Sequence, residues 1–344
     1  MVGSTNAGTM YHRMYKFAKY MRFDIDTTLL NYNPDSTNDT VWEQLIKIDS
    51  ELRERLYDAA KEADIIIFQA LNTIISASLV KVFKDALNVP VVMEIDDYIF
   101  NIPTYNAAAE SYKPDSNRLK IQKQQLQESD AVIVSTEYLK EVYKPFNKNI
   151  HIIPNGIDFN NWGERKNNHK KVRVGWIGSA THVEDLIEIR EPLKKMLKIP
   201  NVEFVCVGGV PNFVKNWNKT KYDKRWVSAD TYPNWLAQKD FDIGLFPLID
   251  NHFNRGKSAL RYYEYSALKI PTIASDVLPC RTIKDGKTGL ISRNADEWYD
   301  NMKFLIGNKK RREIMGRNAY RQVKKYNNAE TIAKKYLKIL RGLV

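Results

Sequence analysis

Cysteine is scarce: Cys206 and Cys280 are the only two in 344 residues, and they stand in unrelated contexts. Such a chain holds neither a disulfide framework nor a cysteine metal cluster, which points to a reducing compartment. The N-terminus, Met1-Val2-Gly3-Ser4-Thr5-Asn6, lacks the apolar stretch of a secretory leader. No apolar run is long enough to span a bilayer. The most apolar-leaning region, 63–80, is interrupted by Asp64, Gln69, Asn72 and Thr73 and divides into strand then helix. With 43% hydrophobic and 27% charged residues the composition is that of a soluble globular protein, and the length suffices for two ordinary domains. The expected location is cytoplasmic, with peripheral attachment to a membrane surface left open by the charge distribution.

The net charge of +12 is unevenly spread. From Gly307 onward twelve Lys/Arg stand against Glu313 and Glu330, a balance of +10, whereas residues 1–160 carry 17 Lys/Arg against 22 Asp/Glu, a balance of −5. A basic terminal segment offers a surface to nucleic acid or anionic lipid; it reads equally well as a solvated helical face, since Lys and Arg are good helix formers.

Short apolar runs at 63–69, 89–97, 131–136 and 151–158 have the character of buried parallel strands, with helical segments between them at 49–62 and 117–127. Residues 159–171, rich in Asn, Lys and His, form a linker. The pattern restarts with 172–179, 202–209, 241–248 and 270–275, each run ending in Gly, Ser or Pro, followed by helices at 298–305 and after Lys309. Strands alternating with helices specify an α/β protein with helices on both faces of parallel sheets. The economical architecture is two Rossmann-like, doubly wound domains facing across a cleft, 1–160 and 161–328. Ligands of such sheets bind outside the carboxyl ends of the strands.

The densest chemistry lies in 253–276, a loop, a helix carrying the single internal carboxylate Glu264, and a short apolar strand. A basic residue at a helix start suits a diphosphate, because free N–H groups and the helix dipole favour an anion there. Glu264, about two turns further on, can accept hydrogen bonds from ribose hydroxyls. Asp96-Asp97 closes an apolar run and reads as acceptor-binding or active-site structure, as capping and loop structure, or as a divalent-metal pair. Tyr232-Pro233-Asn234-Trp235-Leu236 reads as an aromatic platform for a base or as the core of a small helix. Of His12, His182 and His252, only His182 has helpful context.

Six segments recur in one order: Asp-Ala-Val-x-Val-Ser-Thr-x-x-Leu (130–139), Pro-Asn-Gly-Ile-Asp (154–158), Gly-Trp-Ile-Gly-Ser (175–179), Phe-Asp-Ile-Gly-Leu-x-Pro-Leu (241–248), Lys-Ser…Glu-Tyr-Ser-Ala (257–267) and Asp-Gly-x-Thr-Gly-Leu (285–290). The series resembles the retaining glycosyltransferases of the GT-B fold and family-four type, over roughly residues 6–327 and most specifically in the C-terminal half.

The resemblance implies a donor site of Gly178, Ser179, His182, Tyr232, Pro233, Lys257, Ser258 and Glu264, with Glu264 on the ribose. The first of the family's paired glutamates falls where this chain has Gly256, and Lys257 is the cation offered to the diphosphate instead. The family's usual Arg and Lys after the first strand of the second domain are replaced by Ser179, Thr181 and His182. The stretch Thr5-Asn6-Ala7-Gly8-Thr9 resembles the family's glycine loop, although the chain begins only a few residues before it; the first strand is vestigial or the start codon is misassigned. The implied catalytic set is Gly8, Asp96, Asp97 and Lys257, and the acceptor set Thr9, Arg13 and Asp97. The last helix, 329–344, would cross back to the first domain.

The implied reaction moves a sugar from a nucleoside diphosphate, a UDP-sugar among others, to an acceptor hydroxyl with retention, as a hexosyltransferase does. It needs no cofactor and no metal. The acceptor is read as a saccharide or lipid-linked glycan. DNA carrying a hydroxymethylated pyrimidine is the alternative, with Arg13, Lys16, Lys19 and Arg22 near the cleft, and a non-catalytic nucleotide-binding module is the third reading.

Overall fold

The computed structural model describes residues 2–3, 11–22, 30–31, 58–69, 80–81, 83–85, 87–106, 108–167 and 169–344. The first sheet is parallel throughout, in the order β2-β1-β3-β4-β5-β6, with β1 at Val2–Gly3, β2 at Leu30–Asn31, β3 at Ile66–Gln69, β4 at Val91–Ile95, β5 at Ala131–Val134 and β6 at Ile150–Ile152. Its central strands are buried along their whole length because period-two alternation feeds two cores. Phe68, Met93 and Val132 pack on one face with Leu126, Leu139 and Tyr143. Ile67, Val92 and Ile133 pack on the other, with Phe17 and Met21 of α1 (Lys16–Met21) and Met14 just before it. The helices α2 (Asn117–Glu128) and α3 (Glu137–Tyr143) carry side-chain N-caps from Ser116 and Thr136. Of the helix expected over 49–62, only its end at 58–61 lies within the described residues.

The run expected as a strand over 151–158 leaves the ladder after Ile152. Pro154 has no N–H to give a neighbouring strand, and the freed segment carries Asn155, Gly156 and Asp158 toward α1 and the cleft. The described strand β1 is only two residues long, yet it pairs with strands on both sides.

The second sheet, also parallel, runs β12-β11-β10-β7-β8-β9. Its strands are β7 (Val172–Gly178), β8 (Val202–Gly208), β9 (Thr220–Asp223), β10 (Ile243–Phe246), β11 (Thr272–Ser275) and β12 (Gly289–Ser292). The order reverses between β7 and β10, the switch point at which a crevice opens in a doubly wound sheet. The edge strand β9 is a polar Thr-Lys-Tyr-Asp run with little burial, which is why apolar patterning passed over it. At the crevice floor Gly208 has φ +90°, and a Cβ there would lie 2.2 Å from the Gly178 carbonyl oxygen, so only glycine fits.

Around this sheet lie α4 (Val183–Ile187), α5 (Arg190–Met196), α6 (Asn212–Asn216), α7 (Tyr232–Lys239), α8 (His252–Gly256), α9 (Leu260–Ala267), α10 (Ala295–Gly307) and α11 (Lys309–Tyr326). The last helix, α12 (Ala329–Arg341), packs on the first sheet beside α1, burying Ile332, Ala333, Tyr336, Leu337 and Leu340. Its apolar face contributes on the order of 1.5–3 kcal/mol per fully buried large side chain. Backbone bonds Ile157 N to Asn327 O (2.7 Å) and Ala329 N to Ile157 O (2.9 Å) fix the crossing.

Across the cleft Thr136 Oγ1 donates to Gly256 O (3.2 Å), Asn155 Nδ2 to Ser258 Oγ (2.8 Å) and Lys257 Nζ to Asp97 Oδ1 (2.6 Å). Among the described residues no helix is long and apolar enough to cross a membrane, and no group of three or more His, Cys, Asp or Glu could hold a metal ion.

Candidate functional site

Two joined cavities lie between the sheets. The larger, about 270 Å³, is lined by Gly178, Ser179, His182, Tyr232, Pro233 and Glu264 from the second domain and by His12, Lys16 and Asp158 from the first. The smaller, about 200 Å³, is lined by Asp96, Asp97, Asn155, Lys257 and Ser258. Ile177, His182, Leu260 and Arg261 line both, and so mark the junction.

Glu264 sits on α9, buried at 3% exposure, and burial raises its pKa. Its Oε2 accepts from Arg261 NH1 (2.6 Å) and Tyr232 OH (3.0 Å), and Arg261 also donates to the Tyr232 oxygen (2.7 Å). Burial opposes charge on Arg261, but the pull of Tyr232 and Glu264 outweighs it and holds the guanidinium above its ordinary pKa. The triad fixes a cation at the cavity junction and a carboxylate beside it. Arg261 was legible as an i, i+3 partner of Glu264 and was nonetheless missed by the sequence reading.

From the first domain, Lys16 Nζ donates to Gly156 O (2.5 Å) and lies 3.2 Å from His12 Nδ1. Burial lowers the Lys16 pKa to about 7, with nearby Arg13 adding to the fall and Glu264 and Asp158 opposing it. Burial, with Lys16 and Arg261 as neighbouring cations, also holds His12 well below its ordinary value. A π-helical segment at Tyr11–Tyr15 carries His12 and runs straight into α1, whose first residue is Lys16, so that both side chains line the cavity. The two are i, i+4 neighbours, but the Gly156 carbonyl that anchors Lys16 comes from 140 residues away, so the local pattern names both residues without fixing what either does.

Asp96 follows β4 and faces the smaller cavity, where burial first, then Asp97 and Glu94, raise its pKa to about 7 against Arg13 and Lys257. Lys257 pairs with Asp97 and lies 4.3 Å from the Phe253 ring centre. Ser258 is held by Asn155. His182 Nδ1 contacts Asp185 Oδ2 at 2.8 Å.

Arg13, expected to face an acceptor, is placed elsewhere. It is fully buried and lines neither cavity, bridging Glu94 (2.5 Å), Ile153 O (2.7 Å) and Asn155 Oδ1 (3.1 Å). A guanidinium adjacent to a buried carboxylate is a strut between β4 and the β6 loop. Gly8 and Thr9 lie outside the described residues. His252 bonds Tyr138 OH at 2.7 Å and lines neither cavity. Of the aromatic segment, Leu236 belongs to the core while Tyr232, Pro233 and Trp235 line the larger cavity. The basic side chains Lys309, Lys310, Arg311, Lys324 and Lys325 on α11 are exposed and face neither cavity.

The position of the missing glutamate has a steric reason. A Cβ on Gly256 would lie 3.0 Å from Leu139 Cδ2 and 3.2 Å from Tyr98 Cβ, both in the first domain. Gly256 is thus one of the points at which the two domains meet closely. Gly256→Glu is therefore expected to lower the melting temperature by several degrees, as overpacking of about 1–3 kcal/mol does; an unchanged melting temperature would show that the contact carries no closure.

The fold defines a class. The chain has the GT-B fold of glycosyltransferases, and residues 187–338 match the model of the family described as "Glycosyl transferase-like". The resemblance read from the motifs therefore holds for the fold and for the second domain. Similar solved structures include sucrose-phosphate synthase from Thermosynechococcus elongatus (17% identity, TM-score 0.65, covering 93% of this chain and 85% of that one). Anabaena HepE in complex with UDP-glucose matches at 13% identity and TM-score 0.70 over 99% of each chain. A glycosyltransferase from Rickettsia africae matches at 14% and 0.68, over 99% of this chain and 97% of that one. No match was found among curated proteins.

Proposed function

We propose that this protein transfers a hexose from a nucleoside-diphosphate sugar, a UDP-sugar first among them, to the hydroxyl of a saccharide or lipid-linked glycan, with retention of configuration. The observation that carries the reading is the Glu264–Arg261–Tyr232 triad at the switch point, facing Lys16 and opening onto Lys257. Glu264 accepts from the ribose hydroxyls. Arg261, Lys257 and His182 hold the diphosphate at the cavity junction, in place of the basic pair missing after β7. HepE has been solved with UDP and glucose, and a variant of Staphylococcus aureus TarM with a saccharide and UDP, which supports a uridine donor here.

In the reaction the bond from the anomeric carbon to the diphosphate oxygen breaks with its electron pair going to that oxygen. The acceptor oxygen bonds the carbon and its proton passes to the departing diphosphate. Preorganised cations stabilise the charge that grows there. Asp96 and Asp97 line the acceptor side and accept from sugar hydroxyls; two carboxyl groups there repel a polyanion, which favours a glycan over DNA.

The test is nucleotide release from UDP-, GDP- and ADP-sugars with a panel of glycans, with hydroxymethylated DNA, and in the presence of EDTA. Glycan-stimulated release from a UDP-sugar, undiminished by EDTA, is the expected result. Release stimulated only by the DNA would overturn the acceptor assignment, loss with EDTA would overturn the metal-free account, and nucleotide binding without release would mark a non-catalytic module.

A further inference from the structure

Asp185 lies on α4, outside every motif read from the sequence, with its side chain 1% exposed. A buried carboxylate needs partners for its lone pairs, and here they divide by oxygen. Oδ1 accepts from Ile249 N (2.8 Å) and Asn254 Nδ2 (2.9 Å), in the segment leading into Lys257. Oδ2 meets His182 Nδ1 at 2.8 Å. One carboxylate thus ties the turn after β7 to the turn after β10, on the two sides of the switch point.

His182 is one of four residues lining both cavities, and with Nδ1 engaged its Nε2 is the ring nitrogen that remains for a ligand. Alone, an imidazole is a poor substitute for a guanidinium: it rotates, and when neutral it donates from one nitrogen only. A carboxylate accepting at Nδ1 fixes the ring, and an imidazolium held in this way donates from Nε2.

We propose that Asp185 is a positioning residue that aims His182 Nε2 at the diphosphate of the donor, so that the His182–Asp185 pair replaces a basic side chain after β7. The inference rests on the nucleotide-sugar reading above and adds a residue to it.

The two oxygens make the test separable. In Asp185→Asn the amide oxygen takes the place of Oδ1 and keeps Ile249 N and Asn254, while the NH2 group faces Nδ1 and can only donate. Asp185→Ala loses both sets of contacts. Asp185→Asn is expected to melt close to the wild type, to weaken UDP binding measured by calorimetry, and to lower kcat about 10–100-fold, the range for an orienting partner behind a ligand-contacting histidine.

His182→Ala should give a comparable loss, and Asp185→Asn in the His182→Ala background should add none, in UDP affinity as in kcat. An equal loss from Asp185→Asn with and without His182 would overturn the proposal, since the aspartate would then act through the fold. Wild-type protein that binds UDP but transfers nothing would remove the enzymatic reading, and the affinity cycle would still decide on the pair. Wild-type protein that does not bind UDP would overturn both.

Discussion

Glu264→Gln is expected to reduce kcat/KM for any nucleoside-diphosphate sugar by about two powers of ten, and to lower the melting temperature as well. The amide keeps the shape of the side chain but removes the charge on which Arg261 and Tyr232 converge. Breaking a buried charge pair from one side costs about 3 kcal/mol or more, because the remaining charge loses its partner. The Arg261 side chain is 22% exposed and recovers part of that from water, so the loss of stability is the smaller effect. The catalytic loss is the larger one, since Arg261 lines the junction of both cavities, where the proposed function puts the diphosphate. Steady-state kinetics with calorimetric melting of the same preparation separates the two. Unchanged kcat/KM would remove Glu264 and its triad from the donor site.

Asp96→Asn should move stability and activity in opposite directions. Its carboxyl has a pKa of about 7 in the fold against an ordinary value near 3.8, with burial as the main cause. Between those values the folded state holds a proton that the unfolded chain has released. The group's contribution to stability is thus fully present below the lower value and is lost as pH rises through about 7. Above that, a half-buried carboxylate beside Asp97 and Glu94 opposes folding. Asn carries no such penalty, so the variant should be more stable than the wild type at pH 8, by about 2 kcal/mol, with the advantage vanishing near pH 4. Turnover should nevertheless fall at least tenfold, because Asp96 lines the smaller cavity, where the proposed acceptor's hydroxyls need a hydrogen-bond acceptor. A variant less stable than the wild type at pH 8 would contradict the burial argument.

The two-sheet architecture was legible because parallel strands buried on both faces appear as short continuous apolar runs, as at 131–136 and 202–209. The polar edge strand Thr220–Asp223 was not, since an edge strand needs little apolar surface. Residues implied by the resemblance, among them His182, Tyr232, Lys257 and Glu264, do gather around the cleft. The reading failed where tertiary partners decide a side chain's use. Arg13 and Lys16 are three residues apart on one short basic stretch, yet one is a buried strut against Glu94 and the other lines the larger cavity. No local pattern separates them, because Glu94 and Gly156 are brought to them only by the folded sheet. Asp185 was missed for a related reason: His182 is only three residues before it, but the Ile249 N–H and Asn254 amide that hold its other oxygen lie more than 60 residues away.

The most direct measurement is a crystal structure of the protein with UDP. The account predicts ribose hydroxyls against Glu264 and the diphosphate between His182, Arg261 and Lys257, with the Lys257–Asp97 pair opened or shared. UDP bound away from α9, or with its diphosphate turned from the cavity junction, would contradict it.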